Sequence, residues 1–530
     1  MSNSLAQNEA WFYLVAKDAT VNPTFVQTGD VLTYSGNDTE LKNIFSKYKI
    51  ETFKKTLKKA KKQHLDKTFF VRCNSEALLQ ELLKNKANLF ISGVIIPKED
   101  RKIFEPNDYG LTSTVGENKG FKVNLDYLDF LEVPKAWYYT VGNPETIIGI
   151  SDASVDTTDV EFAGKTKVVK KSKYSGGHGN GVASLAAAQG DNGYGVPGVC
   201  YDCGIYTTFY GSFKGFEQLL ELSEIGVKVI NCSWYSSYKA KSGQDAINKM
   251  FDNGTLLVVA AGNKNWMETK SGEIKYYPAS YDHVISVSSA MYKYETISEN
   301  ILEEPNGKKY AENIKGYVGR TMGFRDEDVS KPHIYPVSVT SLNTEVDILA
   351  PSTGTFLYGR YLNNDENIYD SNEHTSNSTP LVTGTIGLML SLYPCLPIDE
   401  VESILKMTSL NIDDIEANKP FAGKYGAGML NTGKSVAMVF NMFAEKNPVK
   451  IENQRFSRWD FKLTSLSEVV MKNQEFTENA TLNLTSKKQI VISEKTALKP
   501  NANGKIHLKI DPSLKKECEL QLRDPSILNE

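Results

Sequence analysis

Thr146-Ile-Ile-Gly-Ile-Ser-Asp152 is a short apolar run that ends in an acidic residue. Apolar runs of the same kind follow at 227–232, 256–261 and 284–287, and helical patterns separate them. Such runs are typical of strands in a parallel sheet whose two faces are both covered by helices. We therefore predict an α/β domain over residues 121–442, with Asp152 at the carboxyl edge of its sheet, where enzymes of this class place their sites.

The composition is that of a globular protein with more than one domain. The chain has 530 residues, of which 40% are hydrophobic and 23% charged, and its net charge is −4. This charge argues against a nucleic-acid-binding protein, which needs a basic surface. No apolar run approaches 18 residues, so we predict no membrane span. Six cysteines in a chain of this length exclude a dense disulfide scaffold.

Other segments flank or interrupt the α/β domain. Residues 11–98 are predicted to form a small α/β unit, in which a basic stretch is expected to be helical because Phe53, Leu57, Ala60 and His64 fall on one stripe. Residues 99–120 are predicted to be a linker, and 291–340 a surface insertion. Alternating polar and apolar residues predict a small antiparallel β domain over 445–530, without an internal repeat. Residues 1–10 are expected to be disordered or the remnant of a secretion signal.

Three segments carry groups suited to catalysis. Asp152 follows a predicted strand, His178 opens a helix inside a glycine cluster, and Ser376 lies at the start of a third segment. Taken singly, each has an ordinary structural explanation: a turn residue, a structural histidine, and the N-cap of a helix whose first turn contains Pro380. Together they follow the order Asp, His, Ser, which is that of the subtilisin triad.

At these residues the sequence resembles the subtilisin-like serine proteases (subtilases), over about residues 121–442. The resemblance rests on eight segments in register: 152–154, 178–184, 230–235, 258–263, 277–280, 346–351, 374–380 and 425–431. It implies a serine endopeptidase that acts through an acyl-enzyme. In that reaction Ser376 is the nucleophile, His178 its base and Asp152 the partner of His178. The side-chain amide of Asn263 and the Ser376 backbone N–H then stabilise the oxyanion.

The resemblance also implies how substrate is held and how the protein is made. Polypeptide substrate is expected to pair with Ser233, Trp234 and Tyr235, and Ala260, Ala261 and Gly262 are expected to line the specificity pocket. Tyr235 replaces a common glycine, so we expect that pocket to be narrowed. Residues 11–98 occupy the place of a propeptide, which implies an autoprocessed zymogen and export from the cytoplasm; a permanent accessory domain is the alternative. The protein is expected to be a monomer. The chemistry needs no cofactor; structural calcium is common in the family, but no calcium site can be assigned from the sequence.

Departures from the family pattern leave alternatives open. Ser154 and Gly181 replace a glycine and a histidine, and His374 replaces a small residue and is expected to crowd the site. A binding protein built on a disabled protease scaffold is therefore the main alternative function. Residues 428–435 fit the P-loop pattern G-x-x-x-x-G-K-[ST], which supports an NTPase, although no buried strand is predicted directly before them. Cys200 and Cys203 are expected to form a local disulfide or to be two inert thiols, rather than half of a zinc site.

Overall fold

The computed structural model falls into two compact units, residues 1–103 and 104–530. It describes residues 10–29, 31–55, 67–97, 101–109, 125–174, 177–211, 214–263, 273–335, 341–352, 356–359, 368–371 and 374–529. The possible signal remnant at the amino terminus lies outside these residues, except for Ala10. Part of the predicted linker belongs to the second unit, where Tyr109 is fully buried against Trp137.

The first unit is a six-stranded antiparallel sheet with two helices and a hydrophobic core of its own. Its strand order is β2-β3-β4-β5-β1-β6. The elements are β1 (Ala10–Ala16), β2 (Phe25–Thr28), β3 (Val31–Tyr34), α1 (Thr39–Phe45), β4 (Ile50–Lys55), β5 (Thr68–Cys73), α2 (Ala77–Asn85) and β6 (Phe90–Ile95).

The helix predicted for the basic stretch is wrong where the structure describes that stretch. Phe53 lies on β4 and packs against Phe69 of β5, with ring centroids 5.1 Å apart. The pairing of β4 with β5 buries one face of the strand, and this contact between distant residues overrides the local helical spacing. The other three members of the predicted stripe lie outside the described residues.

The second unit is built on a seven-stranded sheet of order β17-β12-β11-β10-β7-β9-β8, with every neighbouring pair parallel. Its strands are β7 (Ile147–Ser151), β8 (Thr166–Val168), β9 (Gly204–Thr208), β10 (Val229–Cys232), β11 (Leu256–Ala260), β12 (Val284–Ala290) and, after an insertion, β17 (Ile348–Pro351). Because the strands run in one direction, their carboxyl ends meet at one edge of the sheet.

Helices cover both faces of this sheet, as predicted. Along β11, Val258 packs in one hydrophobic core, whereas Leu257 and Val259 pack in another. Helices α6 and α7 contribute to the second core, and the remaining helices of the unit to the first. The helices are α3 (Asp126–Phe130), α4 (Val133–Tyr139), α5 (His178–Ala187), α6 (Glu217–Glu224), α7 (Lys241–Asp252), α8 (Thr375–Leu392), α9 (Ile398–Thr408) and α10 (Thr432–Ala444).

The predicted insertion contains two β-hairpins and is partly buried, since Ala311 and Val318 are fully enclosed. Short two-stranded sheets form these hairpins and a third one that precedes α8. Their strands are β13 (Ile301–Glu303), β14 (Lys309–Ala311), β15 (Arg320–Phe324), β16 (Pro332–Tyr335), β18 (Phe356–Gly359) and β19 (Ile368–Ser371).

The carboxyl-terminal strands are parallel, so the prediction of an antiparallel domain without a repeat is wrong. Val449 pairs with Val469, and Val469 with Ile490, which gives stacked coils with a repeat of about 20 residues. The coils share the hydrophobic core of the second unit. Their strands are β20 (Val449–Glu452), β21 (Arg455–Phe456), β22 (Asp460–Ser465), β23 (Val469–Lys472), β24 (Glu475–Glu478), β25 (Thr481–Ser486), β26 (Ile490–Ile492), β27 (Ala497–Pro500) and β28 (Lys505–Ile510).

Two disulfides occur in the second unit. Cys200 forms a disulfide with Cys203, which was one of the two predictions for this pair. Cys395 forms a disulfide with Cys518. The second bond joins the segment after α8 to the segment after β28. None of the helices among the described residues combines the length and the apolar composition that a bilayer crossing requires.

Candidate active site

The predicted site residues lie at the carboxyl edge of three adjacent strands, β7, β10 and β11. Asp152 directly follows β7, Ser233 follows β10, and Asn263 lies just beyond β11. His178 is the first residue of α5, and Ser376 lies in the first turn of α8. Residues that are far apart along the chain are therefore brought to one edge by the order of the strands.

Asp152 and His178 form a hydrogen-bonded pair, with 2.7 Å between Asp152 Oδ1 and His178 Nδ1. Asp152 is fully buried, whereas about a third (35%) of the His178 side chain is exposed. Burial by itself would lower the pKa of His178, but the hydrogen bond and the charge of Asp152 outweigh it and raise the pKa above its usual value. The carboxylate thus stabilises the protonated imidazole, as a partner of a catalytic base must.

The approach of α5 to Asp152 requires the glycine after His178. A Cβ atom at Gly179 would lie 2.2 Å from the carbonyl oxygen of Ala153. The side chain of Asn180 accepts a hydrogen bond of 2.7 Å from the backbone N–H of Asp156, which ties the same turn to α5. The glycine-rich motif therefore lets the histidine helix lie directly against the aspartate turn.

Tyr210 is a member of this site that the sequence analysis missed. Its hydroxyl donates a hydrogen bond of 3.0 Å to Asp152 Oδ1, the same oxygen that meets His178. The backbone N–H of Ala153 donates to that oxygen as well, at 2.6 Å. Tyr210 lies two residues beyond the end of β9, next to β7 in the sheet. Its local sequence gave no signal of this contact, which depends on the pairing of β9 with β7 in the sheet.

Ser376 is held between α8 and the segment after β10. Its hydroxyl donates to the carbonyl oxygen of Ser233 at 3.1 Å, and its own carbonyl accepts from the Ser233 hydroxyl at 2.9 Å. That carbonyl is available because Pro380, four residues later, has no backbone N–H to bond it. Among the described contacts, no hydrogen bond joins Ser376 to His178. Catalytic hydrogen bonds are often absent or long when no substrate is bound.

The positions of Ser376 and Pro380 in α8 differ from the prediction. The helix begins at Thr375 with His374 as its N-cap, so Ser376 is inside the first turn and is not the cap. Pro380 lies inside the helix and not in the first turn. The Ser233 hydroxyl donates to the carbonyl that Pro380 leaves without a donor from the helix.

The side chain of Asn263 has a fixed orientation. Its Oδ1 accepts hydrogen bonds from the backbone N–H of Thr375 at 2.8 Å and from the Thr375 hydroxyl at 2.7 Å. Because the oxygen end of the amide is engaged in this way, the Nδ2 end remains as a donor. No Nδ2 bond appears among the described contacts. The arrangement is suited to an amide that donates to an oxyanion near the start of α8.

The residues predicted to hold substrate have different surroundings. Trp234 is buried, and its indole N–H donates to the carbonyl of Ser151 at 2.9 Å, so only its backbone is available to a peptide. Tyr235 packs against Tyr276, with ring centroids 4.5 Å apart. Ser233 is buried and contacts Ser376 as described above.

The predicted pocket wall is made of buried residues. Ala260 and Ala261 are fully buried, and the side chain of Ala261 belongs to the main hydrophobic core. Gly262 has a φ of +113°, and a Cβ there would lie 2.5 Å from the ring of Tyr276. The alanine side chains therefore face the protein interior, and Tyr276 takes the space beside Gly262.

The departures from the family pattern introduce no backbone strain. His374 is exposed and extended, with a φ of −126°. Ser154 donates its hydroxyl to the carbonyl of Ser172 at 3.2 Å, and its φ is not positive. Gly181 is buried within α5. His374 was expected to crowd the site, but its side chain is exposed to solvent.

The P-loop pattern does not form a phosphate cradle. The backbone N–H groups of Met429, Leu430 and Gly433 donate to the carbonyls of Leu410, Leu349 and Leu131. That of Lys434 is bonded by the Asn431 side chain. A P-loop needs such groups to point at phosphate, so this segment is a structural connection into α10.

The titratable side chains of the second unit include two that are buried close together. Across the described ranges, no group of three or more His, Cys, Asp or Glu side chains is arranged to hold a metal ion. Two buried carboxyl groups, Asp108 and Glu161, lie at one place in the second unit. The N–H of Asn192 donates to Asp108 at 3.2 Å, and its side-chain amide donates to Glu161 at 3.4 Å. Burial, together with the charge of Asp108, raises the pKa of Glu161 to about 9.

The protein combines a parallel sheet with an aspartate, a histidine and a serine at the carboxyl edge of that sheet. This combination is typical of serine peptidases of the subtilisin class. The sequence model of a protein family, described as "Subtilase family", matches residues 98–433 of this chain. The chain belongs to the subtilase family. At the level of that family it is a subtilisin-like serine endopeptidase.

Individual relatives are distant. Subtilisin DY from Bacillus licheniformis is 27% identical over 296 residues, which cover 54% of this chain and 88% of that protein. The Calcium-dependent protease of a Nostoc species is 26% identical over 356 residues, which cover 60% of this chain and 50% of that protein. The crystal structure of fervidolysin from Fervidobacterium pennivorans aligns with a TM-score of 0.43 and 16% identity, over 82% of this chain and 62% of that one.

Proposed function

We propose that the protein hydrolyses peptide bonds with Ser376 as nucleophile, His178 as general base and Asp152 as the partner of that base. The observation that carries the proposal is the 2.7 Å hydrogen bond between His178 and a fully buried Asp152 at the edge where α8 begins. A serine hydroxyl is a poor nucleophile at neutral pH, and an imidazole held in one tautomer by a carboxylate is the usual remedy.

The steps follow from the positions of these groups. Ser376 turns from the Ser233 carbonyl and attacks the substrate carbonyl, and His178 takes its proton through Nε2. Asp152 stabilises the imidazolium that results. Negative charge on the substrate oxygen is met by Asn263 Nδ2 and the Ser376 backbone N–H. His178 returns its proton to the leaving amine, and water then hydrolyses the acyl-enzyme by the same steps in reverse.

The test is the variant Ser376→Ala. We expect its kcat/KM on a peptide substrate to fall by more than about 10⁴-fold, a magnitude taken from subtilisin, a member of this family. A fluorophosphonate should label wild type at Ser376 and should not label the variant. Peptidase activity that survives in Ser376→Ala would reject Ser376 as the nucleophile.

A binding protein on a disabled scaffold is the second candidate, and it is favoured by one observation: the Ser376 hydroxyl is bonded to Ser233 and not to His178. The fluorophosphonate distinguishes the two candidates, because it reacts only with an activated serine. Correctly folded wild type that resists labelling over a broad pH range would favour the binding protein.

We further propose that residues 11–98 act as a propeptide of an exported zymogen. The first unit has a hydrophobic core of its own, as a segment that is later removed requires. The two disulfides in the second unit are typical of proteins from oxidising compartments. Mass spectrometry of the purified chain would show a shortened amino terminus in wild type and an intact one in Ser376→Ala.

Calcium is proposed as a structural ion, held by Glu161 and Asp108. Two relatives are named calcium-dependent proteases. Glu161 is fully buried, and within the described residues its Oε2 has no hydrogen-bond partner. Carboxylate oxygens are ligands that Ca²⁺ takes, so the two buried carboxyl groups fit such an ion. It would neutralise their charge and would take no part in the chemistry.

A further inference from the structure

Asp152 is bonded in an asymmetric way. Its Oδ1 accepts three hydrogen bonds, from His178, from Tyr210 and from the backbone of Ala153. Its Oδ2 is buried and has no hydrogen-bond partner in the part of the chain that the structure describes. The donors therefore act on the one oxygen that faces the base.

The position of the Tyr210 hydroxyl next to this oxygen is fixed by contacts of Tyr210 with its neighbours in the fold. Tyr210 lies two residues after the end of β9. The carbonyl of Thr208, the last residue of β9, accepts a hydrogen bond of 3.0 Å from the backbone N–H of Asp152. The carbonyl of Tyr210 accepts a hydrogen bond of 2.6 Å from the side chain of Gln218 on α6. Its ring meets the edge of Tyr174 with centroids 5.8 Å apart. The hydroxyl is thus placed by packing on several sides.

This inference rests on the proposed function. We propose that Tyr210 is a positioning residue of the triad, which fixes Asp152 so that Oδ1 faces His178 and which takes up part of the negative charge on that oxygen. Tyr210 does not touch substrate in this role. It acts on His178 through Asp152, since a carboxylate oxygen that accepts an extra hydrogen bond attracts a neighbouring proton less strongly.

Two further titratable side chains of the described residues, Cys232 and Tyr210, interact with the charge of Asp152. Cys232, at the end of β10, is fully buried, and burial together with the charge of Asp152 raises the pKa of its thiol. Burial and the same charge raise the pKa of Tyr210. Tyr174 lies beside Tyr210 and is largely exposed. Within the described part of the chain, Asp152 is thus the charged group that acts on His178, and the Tyr210 hydroxyl donates to that group.

The decisive variant is Tyr210→Phe, which keeps the ring and removes the donor. With the hydroxyl absent, Asp152 retains more charge for His178, so the pKa of His178 should rise by roughly half to one unit. We would measure this pKa by NMR with ¹³C-labelled histidine in full-length protein carrying Ser376→Ala, which prevents self-digestion. The chain has six histidines, and the signal of His178 is the one lost in His178→Gln.

The matched control is Tyr174→Phe in the same background. It removes a hydroxyl from the adjacent ring without touching Asp152, and it should leave the pKa of His178 unchanged. The other histidine signals show whether each variant keeps its fold. A His178 pKa that agrees between Tyr210→Phe and its parent to within about 0.2 units, with the fold intact, would overturn the inference.

A kinetic measurement separates this inference from the proposed function. In active enzyme, Tyr210→Phe should move the acidic limb of kcat/KM to higher pH by the same amount, because only unprotonated His178 is a base. A purely structural role would lower activity equally at all pH values, and that outcome would also overturn the inference. If wild type shows no peptidase activity but the NMR shift is found, the proposed function fails and the coupling of Tyr210 to His178 stands.

Discussion

Glu161 illustrates how a single buried carboxyl group creates a requirement for a partner. It is fully enclosed and close enough to Asp108 for that charge to raise its pKa, and Asn192 donates hydrogen bonds to both carboxyl groups. An ionised carboxylate in such a place is costly unless a cation or a proton neutralises it. The stability of the second unit should therefore depend on what occupies this place.

We predict that calcium stabilises wild type and that Glu161→Gln removes this effect. Calcium at about a hundredfold over its dissociation constant adds roughly 2.7 kcal/mol, which a thermal melt with and without chelator detects as a shift of several degrees. Glu400→Gln is the matched control, because Glu400 is equally buried but is bonded by the backbone of Thr464. Identical melting of wild type with calcium and with chelator would contradict the prediction.

The residues of the proposed triad were predictable because their chemistry is visible in short segments. Asp152, His178 and Ser376 each stand at the end of a strand or the start of a helix in the sequence. Tyr210 was not predictable in this way, because tyrosine is common beyond strands and nothing in its local sequence refers to Asp152. Its role depends on the pairing of β9 with β7, which is a property of the sheet order.

At the level of elements, helix α5 places His178 beside Asp152 because its first turn packs directly on the turn after β7. We predict that Gly179→Ala lowers the free energy of unfolding by roughly 2–4 kcal/mol, since its Cβ would meet a backbone oxygen that cannot move aside. Activity should fall as well, because His178 would be displaced from Asp152. Denaturant unfolding and kcat/KM measure the two effects.

Gly254→Ala is the control for this substitution. Gly254 has a φ of +80° and no atom within 4 Å of an added Cβ, so only backbone strain of about 1 kcal/mol is expected. Equal losses in the two variants would show that the contact with Ala153 does not determine the placement of α5.

The elements that sequence patterns predicted well are the ones whose burial is complete. Strand β11 is apolar along its whole length because both of its faces are covered, and this pattern is local. The coils after residue 449 alternate like an antiparallel sheet, and alternation does not distinguish strand directions. The informative signal was the pair Asn453-Gln454 and its repetition at Asn473-Gln474. The side chain of Asn473 donates a hydrogen bond to that of Asn453, and the backbone N–H of Gln454 donates to the side chain of Gln474.

On the scale of the whole molecule, the second unit is held together by contacts between parts far apart in sequence. The bond between Cys395 and Cys518 closes a loop of 123 residues that contains α9, α10 and all three coils. The strands of these coils pack into the same hydrophobic core as α8. We therefore regard residues 445–530 as part of the body of this unit.

We predict that replacing both cysteines of this pair by serine lowers the free energy of unfolding by about 2–4 kcal/mol, because the unfolded chain regains the freedom of a long loop. The double replacement of Cys200 and Cys203 is the control, since their separation of 3 residues restricts the unfolded chain little. Thermal melts of both variants without reductant provide the comparison. A larger loss from the local pair would contradict the prediction.

The resting hydrogen bond from Ser376 to Ser233 has a consequence for turnover. That carbonyl oxygen belongs to the segment along which we expect an incoming peptide to lie. In the proposed reaction the hydroxyl must leave this hydrogen bond by rotation about its Cα–Cβ bond before it can attack a peptide. Such rotations are far faster than a typical catalytic cycle. A peptide backbone that took over the Ser233 carbonyl would release the hydroxyl, so that binding of the chain to be cut would itself prepare the nucleophile.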